Sequence, residues 1–219
     1  MNKLLIFVFS IVLFAGYVTK AVAQEKEKDS VETAFRKGRW LSGFSGFISS
    51  ASNKNNSSGN KSVSNNYRIE ISSSKFIKDR FSVGVNVNME RDNFEANEIR
   101  TTEDVFIGPK ATYYFSKSNV GSLYFSFSPG FIAYRDKIIF NQNSDRLDNI
   151  NKGIGWGTTS TIGYSYVIFD LVAFDLGLNW SAYRINITQS SSQNPNTTDT
   201  DFLLNDLSFS FGFKIFLGI

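Results

Sequence analysis

Seven charged side chains are the first candidates for chemistry: Arg68, Glu70, Glu90, Asp104, Lys110, Asp175 and Lys214. Each falls on the polar side of a segment in which apolar and polar residues alternate. A charge held away from water is costly unless it is paired. Glu70, Glu90, Asp104 and Asp175 are therefore expected to pair with Arg68, Lys110 and Lys214. The functional alternative is a gate, in which rearranging these pairs opens a small pore.

The rest of the catalytic repertoire is thin. The chain has no histidine and no cysteine. This removes the commonest base, the thiolate nucleophile, disulfides, and attachment of lipid through an N-terminal cysteine. Ser210 and Lys214 could in form make a Ser–Lys pair, but lining of an interior is the expected role. Gly153, Gly155 and Gly157 alternate along a strand and precede no helix. Close packing therefore explains them better than a phosphate cradle. Asn141 to Asn149, with Asp145 and Asp148, offers oxygen atoms of the kind calcium prefers, at irregular spacing, and a solvated loop is expected. No catalytic residue, cofactor-binding residue, metal ligand or cofactor is expected, and the chain reads as non-enzymatic.

The elements that position these residues follow from a period of two. The last segment is clearest: Leu203, Leu207, Phe209, Phe211, Phe213, Ile215 and Leu217 share one face. Asp206, Ser208, Ser210, Gly212 and Lys214 share the other. Phe81, Val83, Val85, Val87 and Met89 likewise oppose Ser82, Gly84, Asn86, Asn88 and Glu90. In the first segment Trp40, Phe44 and Ile48 share one face, and Leu41 and Phe47 the other. Such alternation marks strands between two unlike environments. Eight are expected, at 39–50, 66–77, 80–91, 103–116, 120–135, 152–167, 171–187 and 202–217.

The gaps alternate in length. Lys78-Asp79, Lys117–Asn119 and Phe169-Asp170 are short. Residues 51–65, 92–102, 136–151 and 188–201 are long and polar. Outer-membrane barrels have short periplasmic turns and long outer loops. The polar faces are mostly Gly, Ser, Thr and Asn, which suits a cramped lumen better than a wet surface rich in Lys and Glu. Aromatic residues near strand ends read as interfacial girdles: Trp40, Tyr67, Phe76, Tyr113, Phe115, Tyr134, Tyr164, Tyr166, Tyr183 and Phe216.

The N-terminus reads as a secretory signal peptide over residues 1–23. Lys3 precedes an apolar run, Leu4–Val18, and Ala21-Val22-Ala23 is a small-residue cleavage site. A retained helix is the alternative, but the run is short for a span of about 20 residues. The formal charge is +3, and loss of Lys3 and Lys20 leaves +1. No strong field attracts nucleic acid. Residues 24–38 are expected as a short periplasmic lead-in, with a plug as the alternative, and 39–219 as the barrel.

Four stretches resemble the small outer-membrane β-barrel proteins common in Bacteroidetes, akin to the transmembrane domain of outer-membrane protein A. Ser72 to Gly84, with Phe76-Ile77-Lys78-Asp79 at its centre, resembles that family's strand–turn–strand unit, with Ser73 and Lys75 near its usual Pro and Gly. Ile107-Gly108-Pro109-Lys110-Ala111-Thr112-Tyr113-Tyr114-Phe115 resembles its Gly-Pro strand. Gly163-Tyr164-Ser165-Tyr166 through Leu171–Asp175 resembles a later hairpin. Leu207 to Leu217 resembles the terminal strand read by the barrel-assembly machinery, although that signal usually closes on an aromatic residue and this chain has Ile219.

The expectation is an all-β chain: an eight-stranded antiparallel up-and-down transmembrane β-barrel preceded by a cleaved signal peptide, in the outer membrane of a Gram-negative bacterium. Its expected partners are outer-membrane lipid, the barrel-assembly machinery during insertion, and an unidentified surface ligand. Its expected role is structural, or interaction through the long outer loops. The alternatives are a narrow or gated pore for small solutes and a soluble periplasmic ligand-binding barrel.

Overall fold

In the computed structural model, residues 33–54, 61–96, 98–142, 145–191 and 194–218 are described. The chain divides into Met1–Val31 and Glu32–Ile219. The signal-peptide expectation falls on residues outside the described set, as do the side chains of residues 140–148, where the calcium reading falls.

Eight strands follow one another: β1 Trp40–Lys54, β2 Lys61–Lys78, β3 Phe81–Glu95, β4 Glu98–Tyr114, β5 Gly121–Gln142, β6 Asp145–Ile168, β7 Val172–Ser191 and β8 Asn194–Leu217. Each pairs antiparallel with the next, and β8 returns to β1, so the sheet closes. Closure satisfies every strand edge, as a sheet in hydrocarbon requires. No described helix is long and apolar enough to cross a membrane.

The strands run longer than expected at one end. Pairing continues to Lys54/Lys61, Glu95/Ile99, Gln142/Asp145 and Ser191/Asn194. Most of each expected loop is therefore hairpin. Above the membrane both faces of a strand meet water, so alternation fades while the backbone ladder continues.

The outer surface is apolar at mid-height. On β7 the outward residues are Val172, Phe174, Leu176, Leu178, Trp180 and Ala182, and the next is Arg184. On β3 the outward run from Phe81 to Met89 stops at Arg91. Spans of nine to eleven residues match a tilted membrane strand of about that length. Above the band, Arg91, Glu103, Arg135, Lys152, Arg184 and Asp201 form a charged collar, with Arg91–Glu103 at 3.4 Å and Arg184–Asp201 at 2.6 Å. Below it, Lys75 stands over the Trp40 ring at 5.6 Å and Arg80 over Tyr113 at 5.8 Å. Exposed Leu, Ile and Phe between two polar rims cannot be a water-facing surface.

Four expected girdle residues are corrected. Phe76, Tyr134, Tyr183 and Phe216 are buried and point into the barrel. They share parity with Arg68, Asp136, Asp175 and Lys214, and parity, not position near a strand end, decides the face. In β1, Trp40, Phe44 and Ile48 face out, while Leu41 and Phe47 face in.

Residues 33–39 enter the barrel at the short-turn end. Ala34 and Phe35 are fully buried beside Phe76, Tyr114 and Phe216. Phe35 stacks on Tyr114 with ring centres 4.2 Å apart. Gly38, at φ +93°, makes the left-handed turn that lets the chain leave the lumen and start β1, a conformation open to glycine at little cost. Arg39, 3% exposed, ties this segment down. It donates to Asp170 Oδ1 at 2.9 Å, to the Asp170 carbonyl at 2.7 Å and to the Gly218 carbonyl at 3.1 Å.

Candidate functional site

The lumen is the only enclosed chemical environment that the fold builds from the described residues. Its inward positions hold two tiers of charge separated by small polar side chains.

In the lower tier, Lys110 of β4 pairs with Glu70 of β2, and Lys214 of β8 pairs with Asp175 of β7. Lys214 Nζ also donates to Tyr114 Oη at 3.1 Å and lies 4.3 Å from the centre of the Tyr124 ring. The rings fit because their neighbours are glycines. A Cβ added at Gly163 would lie 2.7 Å from Tyr124 Oη, and one at Gly177 3.0 Å from it. The remaining void between the two ion pairs is 20 Å³, about the room of one water. Ser210 lines this void, but an ammonium already paired with a carboxylate is no general base.

In the upper tier, Arg68 donates through Nε to Glu90 Oε2 at 2.8 Å and through Nη2 to Asp206 Oδ2 at 2.6 Å. Its Nη1 donates to Ser208 Oγ at 2.5 Å, and its guanidinium lies 5.2 Å from the Phe47 ring centre. Asp104 faces the same space without a cation at ion-pair distance among the described residues. Higher still, Arg100 grips the buried Asp136 with two bonds, at 2.9 and 3.0 Å.

Six of the seven expected charges thus meet as three pairs, Arg68–Glu90, Lys110–Glu70 and Lys214–Asp175, and Asp104 stands apart. Asp206, Arg100, Asp136 and the tyrosines complete the site and were not anticipated. Asp206 and Asp136 carry the inward parity of their strands, a signal sufficient to find both. Arg39 and Phe35 precede the first alternating segment and carry no such signal. Gly153, Gly155 and Gly157 all face inward on β6. A Cβ at Gly157 would fall 2.6 Å from Tyr183 Cδ1 and one at Gly153 2.7 Å from Ile185 Cγ2, so they make room for side chains from β7.

Above the upper tier lies a chamber of 520 Å³. Its lining climbs from Asp104 and Asp206 to Phe94 and Glu98 beside the β3–β4 connection. One wall is acidic. The other is apolar, with Phe202 and Leu204 of β8 packed near Tyr134, whose ring centre is 6.4 Å from that of Phe202.

The β1–β8 seam is the shortest ladder. It runs from Trp40/Leu217 to Gly46/Phe211, whereas β1 stays paired to β2 up to Lys54. Arg68, Ser208 and Asp206 meet just above its last backbone pair.

Solved structures share this architecture. The outer membrane protein OprG from Pseudomonas aeruginosa aligns with a TM-score of 0.52 at 13% identity, covering 86% of this chain and 100% of that one. Outer membrane protein AlkL, determined in DMPC lipid bilayers, aligns with a TM-score of 0.52 at 10% identity, covering 90% and 98%. At these identities the likeness is one of fold, and with the apolar outer band it makes this chain an outer-membrane β-barrel. No curated protein matches the sequence. The sequence profile described as "Protein of unknown function, DUF481" matches residues 24–135, half of the chain, and the chain belongs to that family.

Proposed function

We propose that this protein is a non-enzymatic, non-conducting outer-membrane barrel that acts at its long-loop end, through the hairpins and the lumen mouth they surround. One observation carries the reading: Phe35, stacked on Tyr114 and packed against Phe76 and Phe216, fills the lumen at the short-turn end. Behind this aromatic layer the Lys214–Asp175 and Lys110–Glu70 pairs leave a void of only 20 Å³. A solute entering from the long-loop end meets a floor. The grouping with Bacteroidetes-type barrels akin to the transmembrane domain of outer-membrane protein A rests on the four sequence stretches and belongs to this proposal.

The test is single-channel recording in planar bilayers with wild type, Lys110→Ala and Lys214→Ala. Wild type is expected to give no resolvable channels. Steady unitary conductance from wild type would refute the reading and favour a pore. Recovery of the folded chain as a monomer in detergent-free buffer would refute the membrane assignment with it.

A further inference from the structure

We infer that the upper chamber is a binding site for an organic ammonium ion with a short apolar or aromatic body. The inference deepens the proposed reading, since it names what the lumen mouth takes.

The chamber has two unlike walls. Glu90, Asp92, Glu98, Asp104 and Asp206 line it, against a single lining cation, Arg100. That cation is already taken up, because its guanidinium binds Asp136 with two hydrogen bonds. Arg68, from below, is divided between Glu90 and Asp206. Asp92, Glu98 and Asp104 therefore have no ion-pair partner among the described residues, and the chamber carries surplus negative charge. A cation entering it gains the attraction without displacing an existing pair.

A second observation asks for a hydrogen-bond donor. Asn66 lines the chamber and donates through Nδ2 to Glu90 Oε1 at 3.0 Å, which fixes the orientation of its amide. Its Oδ1 is shielded from solvent and has no partner. A buried acceptor without a donor costs about 1–3 kcal/mol, and an ammonium N–H supplies that donor. Among the described residues no group of three or more carboxylates is arranged to hold a metal ion, so the charge surplus suits a diffuse organic cation.

The third observation is the apolar wall. Inward positions of this barrel are mostly small or polar, yet Phe94, Phe202 and Leu204 face the chamber. Phe202 stays 40% exposed, so its ring is available to a ligand. A pocket with an apolar side and a few convergent polar groups is the usual form of a small-molecule site, and its volume falls in the usual range.

The test uses the full barrel in lipid nanodiscs, titrated by calorimetry with phenethylammonium and n-hexylammonium. Hexanol and hexanoate are the controls for body and charge, and calcium alone is the control for simple cation attraction. Saturable binding of the ammonium ions is expected, with hexanol and hexanoate at least tenfold weaker. Asp104→Asn removes an unpaired charge and should not harm folding; it is expected to weaken ammonium binding at least tenfold. Phe202→Ala tests the apolar wall and is expected to weaken phenethylammonium more than calcium. Equal binding of hexanol, unchanged affinity in Asp104→Asn, or tighter binding of calcium than of either ammonium would overturn the inference. Absence of binding together with absence of channels would overturn it and leave the non-conducting reading intact. Channels that still bind ammonium would do the reverse.

Discussion

Arg68 of β2 bonds Ser208 of β8 across the full width of β1, with Nη1 2.5 Å from Ser208 Oγ. The contact sits directly above Gly46/Phe211, where the β1–β8 backbone ladder stops. One side chain thus continues, inside the lumen, the closure that the backbone leaves unfinished. It works because Arg carries five donors in a fixed fork, enough to hold Glu90, Asp206 and Ser208 together.

Removing that fork should loosen the seam. Arg68→Ala leaves Glu90 and Asp206 without their cation, and loss of one partner of a buried pair costs about 3–5 kcal/mol. The expected result is a lower midpoint for the heat-dependent gel-mobility shift and for urea unfolding in vesicles. Arg68→Lys should lie between, because a point charge cannot reproduce the three-way contact. An unchanged midpoint in Arg68→Ala would show that the seam needs no staple.

The lower tier offers a reciprocal test. Lys214→Met strands the Asp175 carboxylate and should destabilise by about 3–5 kcal/mol, whereas the double variant Lys214→Met/Asp175→Leu should recover most of the loss. Urea midpoints of the two single variants and the double variant close the cycle. Additive losses would mean that the residues are not coupled.

The aromatic floor predicts a packing cost. Phe35→Ala should destabilise by about 3–5 kcal/mol, as large-to-small changes in buried aromatics do. It should also bring solvent to Tyr114, measured as faster quenching of tyrosine emission by acrylamide. Gly163→Val drives a side chain into the Tyr124 ring and should cost at least about 1–3 kcal/mol. Tyr124→Ala on the same background should relieve it.

The two faces of β5 should respond in opposite ways to charge. Phe127→Arg puts a cation against hydrocarbon, at about 2–4 kcal/mol near the midplane. The control is Lys137→Ala, which changes charge on the same outward parity but above the collar and should cost far less. Equal costs would mean that water, not lipid, bathes the outer surface.

The architecture was legible in the sequence because parity is a strict code. A strand has two faces, and eight segments obeying the same code, joined by gaps of alternating length, leave few alternatives to a closed sheet. The same code locates the charged lumen: Arg68, Glu70, Lys110, Asp175 and Lys214 all face inward. Where position along a strand was weighed above parity, the reading failed, as at Phe76 and Phe216. Loop lengths were overestimated because hairpins above the membrane lose their apolar face but keep their hydrogen bonds. The floor was out of reach for another reason. Ala34, Phe35 and Arg39 act through contacts with residues more than a hundred positions away, Asp170 and Gly218 among them, and no local pattern announces such partners.

The hairpins above the collar have one more consequence. From Arg135 the β5–β6 pair continues through Gln142/Asp145. Seven further residues on a tilted strand rise about 18 Å. A laddered stalk of that height stays upright without help from its tip. Bulky visitors such as antibodies or phage fibres would touch these tips first and stop there, while small molecules slip between them, so the barrel sorts what approaches the cell by size before any lumen residue is reached.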